Sequence, residues 1–95
     1  MAALPDRCEV VVVGGGVIGV SVAYHLADAG IQDVVLLERK ELTSGTTWHA
    51  AGLVGQLRTS INMTQLASYT SQLYRGLEEE TGQATGYRQC GSISI

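Results

Sequence analysis

The apolar run Val10, Val11, Val12, Val13 passes without a break into Gly14, Gly15, Gly16, Val17, Ile18, Gly19. A strand that feeds the pattern GxGxxG limits the possible folds more than any other feature of this chain. The glycines have separate tasks. Gly14 lets the chain turn sharply off the strand, Gly16 lets the backbone come close to a pyrophosphate, and Gly19 lets the next helix lie against the sheet. The free N–H groups and positive dipole end at the start of that helix favour an anion.

Glycine-rich turns also arise as plain tight loops, so the surroundings of the motif carry the argument. Residues 20–29 contain no proline or glycine and place Ala23, Leu26 and Ala27 at helical spacing, with Gly30 as a stop. A second apolar run, Val34, Val35, Leu36, Leu37, ends in Glu38, 19 positions beyond Gly19. That offset is close to the roughly 20 residues at which a carboxylate grips the ribose hydroxyls of a bound dinucleotide. Strand, glycine turn, helix, strand and acid follow in the order of a βαβ nucleotide-binding unit. A carboxylate at position 38 would repel a 2′-phosphate, which leaves FAD and NAD as cofactors. Arg39 and Lys40 read as a solvated loop or a lid over adenine.

With 95 residues the chain suits one small domain, and a doubly wound dinucleotide fold needs more parallel strands than the two found here. Gly91, Ser92, Ile93, Ser94 and Ile95 alternate like a half-buried strand and stop mid-pattern. The expectation is therefore an α/β, Rossmann-like βαβ unit, incomplete, with residues 1–95 as one N-terminal part of a larger FAD- or NAD-binding domain. No internal repeat, low-complexity tract or interdomain linker stands out.

The net charge is −3, and the six basic residues are scattered, which argues against nucleic acid as a partner. Cys8 and Cys90 form no CxxC pair and no ligand cluster. Neither a metal site nor a disulfide framework is expected, and a reducing, cytoplasmic setting fits. Residues 10–27 carry no charged side chain and could be mistaken for a membrane span or signal. Glu9 replaces the basic flank of a signal, the glycine triplet interrupts the helix, and Tyr24 and His25 end the run. With nine residues before the first strand, no transit peptide is expected.

Between Glu38 and the next helix lies a stretch rich in small and hydroxyl residues, including Leu42, Thr43, Ser44, Gly45, Thr46, Thr47, Trp48, His49, Ala50, Ala51, Gly52 and Leu53. It holds the chain's only tryptophan. Such a composition opposes a stable regular element and reads equally as a Ser/Thr-rich connector or as a loop that returns to a pyrophosphate, where hydroxyls and N–H groups donate to oxygens. By spacing alone, His25 and His49 are ordinary histidines.

Farther on, Thr59 and Ser60 can cap a helix over about residues 62–80, with Met63, Leu66, Thr70, Leu73 and Leu77 as its packing stripe and Gly82 as its stop. Tyr69 and Tyr74 could be imagined as an amine cage but read more simply as packing residues. Glu78, Glu79 and Glu80 sit near the helix end and oppose its macrodipole, for which the sequence offers no reason.

The segments VVVVGGGVIGVSVAYHLADAG, VVLLERKELTSGTTWHAAGL and LEEETGQATGYRQCGSISI together resemble the N-terminal part of the dimethylglycine dehydrogenase and sarcosine dehydrogenase family of FAD-dependent amine oxidoreductases. The likeness runs along nearly the whole chain. SGTTWHAAG directly after the ribose acid is its particular element, because the glycine turn is common to many flavoproteins. The resemblance implies that the histidine of WHAAG, here His49, carries FAD through a bond to the flavin 8α carbon. A neutral imidazole nitrogen has the lone pair such an attack needs. The resemblance also places Val17 and Ile18 at the pyrophosphate, beside the motif glycines Gly14, Gly16 and Gly19, and Glu38 and Arg39 at the adenosine end. It places Gly45, Thr46, Thr47, Trp48, His49, Ala50, Ala51, Gly52 and Leu53 along the flavin. It implies oxidation of an N-methyl amine by hydride transfer to flavin, with folate or an electron-transfer flavoprotein as further partners. No catalytic residue is assigned within this chain and no membrane association is expected. Two alternatives are an NAD-binding dehydrogenase and a non-catalytic or truncated flavoprotein fragment. The latter would resemble the regulatory subunit of pyruvate dehydrogenase phosphatase, a relative that the resemblance describes as lacking the flavin-linking histidine.

Overall fold

The computed structural model describes residues 3–93 and 95. The chain divides into two compact units, Met1–Ala51 and Gly52–Ile95.

The first unit is a βαβ crossover. Strand β1 (Val10–Val13) leads through the glycine turn into helix α1 (Val17–Asp28), which returns the chain to strand β2 (Val34–Leu37). The two strands are parallel, with Val10 opposite Val34 and Val13 opposite Leu37. Parallel strands need such a crossover because a two-residue turn cannot reverse the chain and restore its direction. Helix α1 packs on both strands. It ends where the sequence places a stop: Gly30 has φ +92°, its N–H donates to the Ala27 carbonyl, and Ile31 N–H donates to the Leu26 carbonyl. That pair of bonds is the Schellman closure that glycine makes available without a Cβ penalty.

An uninterrupted valine run suggests a strand covered on both faces, but only one face is covered here. Val12 is buried beneath α1, whereas Val11 and Val13 are 50% and 82% exposed. Successive side chains of a strand point to opposite faces, and α1 covers one of them. After β2 the small-residue stretch is not wholly irregular, contrary to its composition. Thr46–His49 form one turn of 3-10 helix, closed by Trp48 N–H to the Gly45 carbonyl and Ala50 N–H to the Thr47 carbonyl. Such a turn needs only two or three bonds, which single-turn pieces of this kind supply without a packed face.

The second unit is built on helix α2 (Ile61–Thr81). Ser60 caps it by accepting from Met63 N–H at 3.2 Å, and Gly82 ends it at φ +72°. Its covered face differs from the expected stripe. Ala67 and Ser71 are the buried positions, while Met63 and Leu66 are 51% and 59% exposed. The cause is the returning segment. Tyr87 stacks on Tyr74 with ring centroids 5.4 Å apart, and its hydroxyl bonds Ser71 Oγ at 2.8 Å. The segment therefore settles against Ser71 and Tyr74, on the helix face that Ala67 shares one turn earlier. Tyr74 is thus a packing residue. The expected terminal strand is not formed at residues 91–93 or 95, and Ser94 lies outside the described residues. A strand needs a partner, and the second unit has no other among its described residues.

Among the described residues, no helix is long and apolar enough to cross a membrane. No group of His, Cys, Asp and Glu among them could hold a metal ion, and both cysteines are free thiols.

Candidate dinucleotide site

Gly14 makes the turn off β1 at φ +105°, a backbone region that side chains disfavour, and its N–H donates to the Leu37 carbonyl at 2.8 Å. This bond ties the start of the turn to the end of β2, one residue before Glu38. Glycine is required at position 19 for a different reason. A Cβ there would run into the carbonyl oxygen of Gly14 and lie 3.4 Å from Val12 Cγ1. The close approach is thus mainly between helix and turn backbone. At position 16 a Cβ would sit 2.9 Å from Thr47 Oγ1.

Glu38 is held from two sides. Its Oε1 accepts from Gly15 N–H at 3.0 Å and its Oε2 from Lys40 N–H at 2.8 Å. The Lys40 and Gly15 N–H groups lower its pKa below the ordinary glutamate value, desolvation opposes them, and the neighbouring Arg39 charge adds a lesser lowering. A carboxylate offers about four acceptor positions, so two remain after these bonds.

The 3-10 turn reaches back to the same place. Thr47 Oγ1 accepts from Val17 N–H at 2.9 Å, and Thr43 N–H donates to the Gly15 carbonyl at 2.8 Å. Thr43 takes φ +63°, an unusual conformation for a residue with a branched side chain. His49 Nδ1 lies 3.0 Å from the Gly45 carbonyl oxygen. A carbonyl only accepts, so Nδ1 carries a proton, and in the neutral ring the lone pair is then on Nε2.

Together these segments enclose a cleft of about 530 Å³. Of the residues singled out from sequence, Gly14, Gly16, Val17, Ile18, Gly19, Glu38, Gly45, Thr46, Thr47 and Ala50 line it. Arg39, Trp48, His49 and Ala51 belong to the same unit but do not line the cleft, and the Trp48 side chain is largely exposed. Gly52 and Leu53 fall in the second unit. Sequence reasoning missed Gly15, whose N–H holds Glu38 and whose Cβ would meet Leu42 Cδ2 at 2.7 Å. The signal was present as a third consecutive glycine, one more than the motif demands.

This donor set suits an adenine dinucleotide. The start of α1 supplies N–H groups that have no partner within the helix, Gly14 and Gly16 bare the backbone toward the cleft, and the half-engaged carboxylate retains lone pairs for hydroxyl donors. The model of the FAD dependent oxidoreductase family matches residues 9–95. The chain belongs to that family.

Its relatives narrow the kinship. Dimethylglycine dehydrogenase, mitochondrial, from Rattus norvegicus is 56% identical over 90 residues, which are 95% of this chain and 10% of that protein. Sarcosine dehydrogenase, mitochondrial, from Mus musculus is 53% identical over 93 residues, covering 97% of this chain and 10% of that protein. The mouse pyruvate dehydrogenase phosphatase regulatory subunit, mitochondrial, is 48% identical over 93 residues, with 98% of this chain and 11% of that protein covered. The chain thus spans about a tenth of the length of these relatives. Among solved structures, L-amino acid deaminase from Proteus myxofaciens in complex with anthranilate superposes with a TM-score of 0.83 at 34% identity. That match covers 93% of this chain and 20% of the deaminase.

Proposed function

We propose that the chain is the dinucleotide-binding part of a longer FAD-dependent amine oxidoreductase acting on an N-methyl amine, with the flavin held covalently at His49. One observation carries the reading: the acid that ends β2 and the glycine turn that ends β1 open on a single cleft, joined by the 3.0 Å bond from Gly15 to Glu38. In this reading Gly14, Gly16, Val17, Ile18 and Gly19 hold the pyrophosphate, and Glu38 and Arg39 hold the adenosine end. The segment from Gly45 through Leu53 follows the flavin. Bound FAD supplies a two-electron oxidant for a C–H bond beside nitrogen, chemistry beyond the reach of amino-acid side chains. The chain's own part is to bind and orient. The lone pair left on Nε2 makes that nitrogen the one that bonds the 8α carbon. On attachment His49 would give up its Nδ1 proton, and FAD, with dioxygen as the final oxidant, would supply the two-electron oxidation that the new C–N bond requires.

Dimethylglycine and sarcosine name the substrates of the two dehydrogenase relatives, and a small N-methylated amino acid is the class proposed here. Folate and an electron-transfer flavoprotein are the proposed later acceptors, served by parts of the protein outside this chain. A cytoplasmic setting rests on Cys8 and Cys90 alone, which any reducing compartment would keep as thiols. The names of the relatives put those proteins in mitochondria, and fractionation of the full-length protein decides between the two.

The test is colour that survives acid. Full-length protein is expected to stay yellow after acid precipitation, and His49→Ala is expected to release all of its flavin under the same treatment. Acid-stable flavin in the variant would overturn the attachment. The likeness to a phosphatase regulatory subunit favours a second reading, a nucleotide-binding part without catalysis. That reading requires wild-type protein to lack acid-stable flavin and amine-dependent flavin reduction.

A further inference from the structure

The short turn that carries His49 is fastened to the start of α1 by one side chain. Thr47 Oγ1 accepts from Val17 N–H at 2.9 Å across 30 positions of sequence. Within the turn, the Gly45 carbonyl receives both Trp48 N–H at 3.1 Å and His49 Nδ1–H at 3.0 Å, so ring and backbone are tied at one oxygen. Ala50 N–H closes the same piece onto the Thr47 carbonyl. Gly16 lies directly beneath, since a Cβ on it would stand 2.9 Å from the Thr47 hydroxyl. The imidazole is therefore bonded within its own turn, and two ties place that turn, the Thr43 N–H bond to the Gly15 carbonyl before it and the Thr47 hydroxyl inside it.

We propose that Thr47 is a positioning residue for flavin attachment, anchoring the His49 turn to the phosphate-binding end of α1. This rests on the reading of His49 as the attachment point. A threonine hydroxyl has two acceptor lone pairs and one proton to donate. Val17 N–H uses one lone pair, which leaves the proton free for an anionic oxygen at the helix start. The same hydroxyl can thus hold the turn before the cofactor arrives and remain linked to it afterwards. Bond formation to a carbon centre tolerates little misplacement, about 1 Å being enough to cost about 100-fold in rate. Loss of the anchor should slow attachment far more than it weakens binding.

The experiment uses full-length protein produced in riboflavin-starved cells, so that it is made without flavin, and then mixed with FAD. Total bound flavin is read before acid precipitation, and flavin retained on the polypeptide is read afterwards over time. Thr47→Val is expected to bind FAD a few-fold more weakly, through loss of the hydroxyl proton, and at saturating FAD to attach it about ten- to hundred-fold more slowly. Thr47→Ser, which keeps the hydroxyl, is expected to attach it at close to the wild-type rate. Should the valine variant not accumulate as folded protein, Thr47→Ala removes the hydroxyl without a methyl in its place and is scored in the same way. Wild-type attachment rates in the valine or alanine variant overturn the proposal, as does a serine variant as slow as valine. Equal loss of binding and attachment also overturns it, because the hydroxyl would then hold the cofactor and not aim the imidazole. Wild-type protein without acid-stable flavin would instead sink the His49 reading, and this inference with it.

Discussion

Gly19 sets two effects against each other. Alanine in a helix interior is favoured over glycine by about 1 kcal/mol, so Gly19→Ala should help α1 if propensity decided the outcome. The added Cβ, however, would run into the Gly14 carbonyl, which cannot retreat easily because Gly14 is fixed at φ +105° and bonded to Leu37. Overpacking of this kind costs about 1–3 kcal/mol, and here it meets backbone. The variant is expected to melt at lower temperature and bind FAD more weakly, as thermal denaturation and flavin titration would register. Glu38 gives a prediction in pH. Its folded-state pKa is lowered by the Lys40 and Gly15 N–H groups, so its contribution to stability is complete above the ordinary glutamate value. That contribution is lost as pH falls through the lowered value. Glu38→Gln places an amide NH₂ against one of two N–H donors, so it should be less stable than wild type at neutral pH. The gap in denaturation midpoint between the two should close in acid.

At the scale of elements, α2 owes its start to one hydroxyl. Ser60→Ala removes the acceptor for Met63 N–H and should cost about 1 kcal/mol, visible as a lower denaturant midpoint, while Ser60→Thr should cost little. Both helices were legible in sequence because their ends are written in local chemistry: Gly30 and Gly82 for the stops, Ser60 for the cap. The strands were legible as valine and leucine runs. The covered face of α2 was not, because Tyr87 chose it from 16 positions beyond Ser71, and no periodicity within the helix encodes that partner. The 3-10 turn escaped notice for a related reason. Small hydroxyl residues have no strong propensity of their own, and this turn is tied down by Val17, which lies far away in sequence.

For the whole molecule, the site was easier to read than the packing. A glycine turn and an acid at fixed spacing are local statements that a βαβ crossover brings together whatever follows, and the Gly15 bond to Glu38 is their meeting point. Beyond residue 51 the chain forms its own unit, so Gly52 and Leu53 drew their assignment from resemblance and not from any local signal. Among the described residues the sheet has two strands, each with a single neighbour. Both therefore present an outer row of unclaimed N–H and C=O groups. Four consecutive β-branched residues without charge are the composition from which cross-β fibrils grow when such a row is left bare. The hydrocarbon run that leads into the nucleotide-binding turn is thus also a bare edge, and any further strand laid beside it would act as a guard as well as a scaffold.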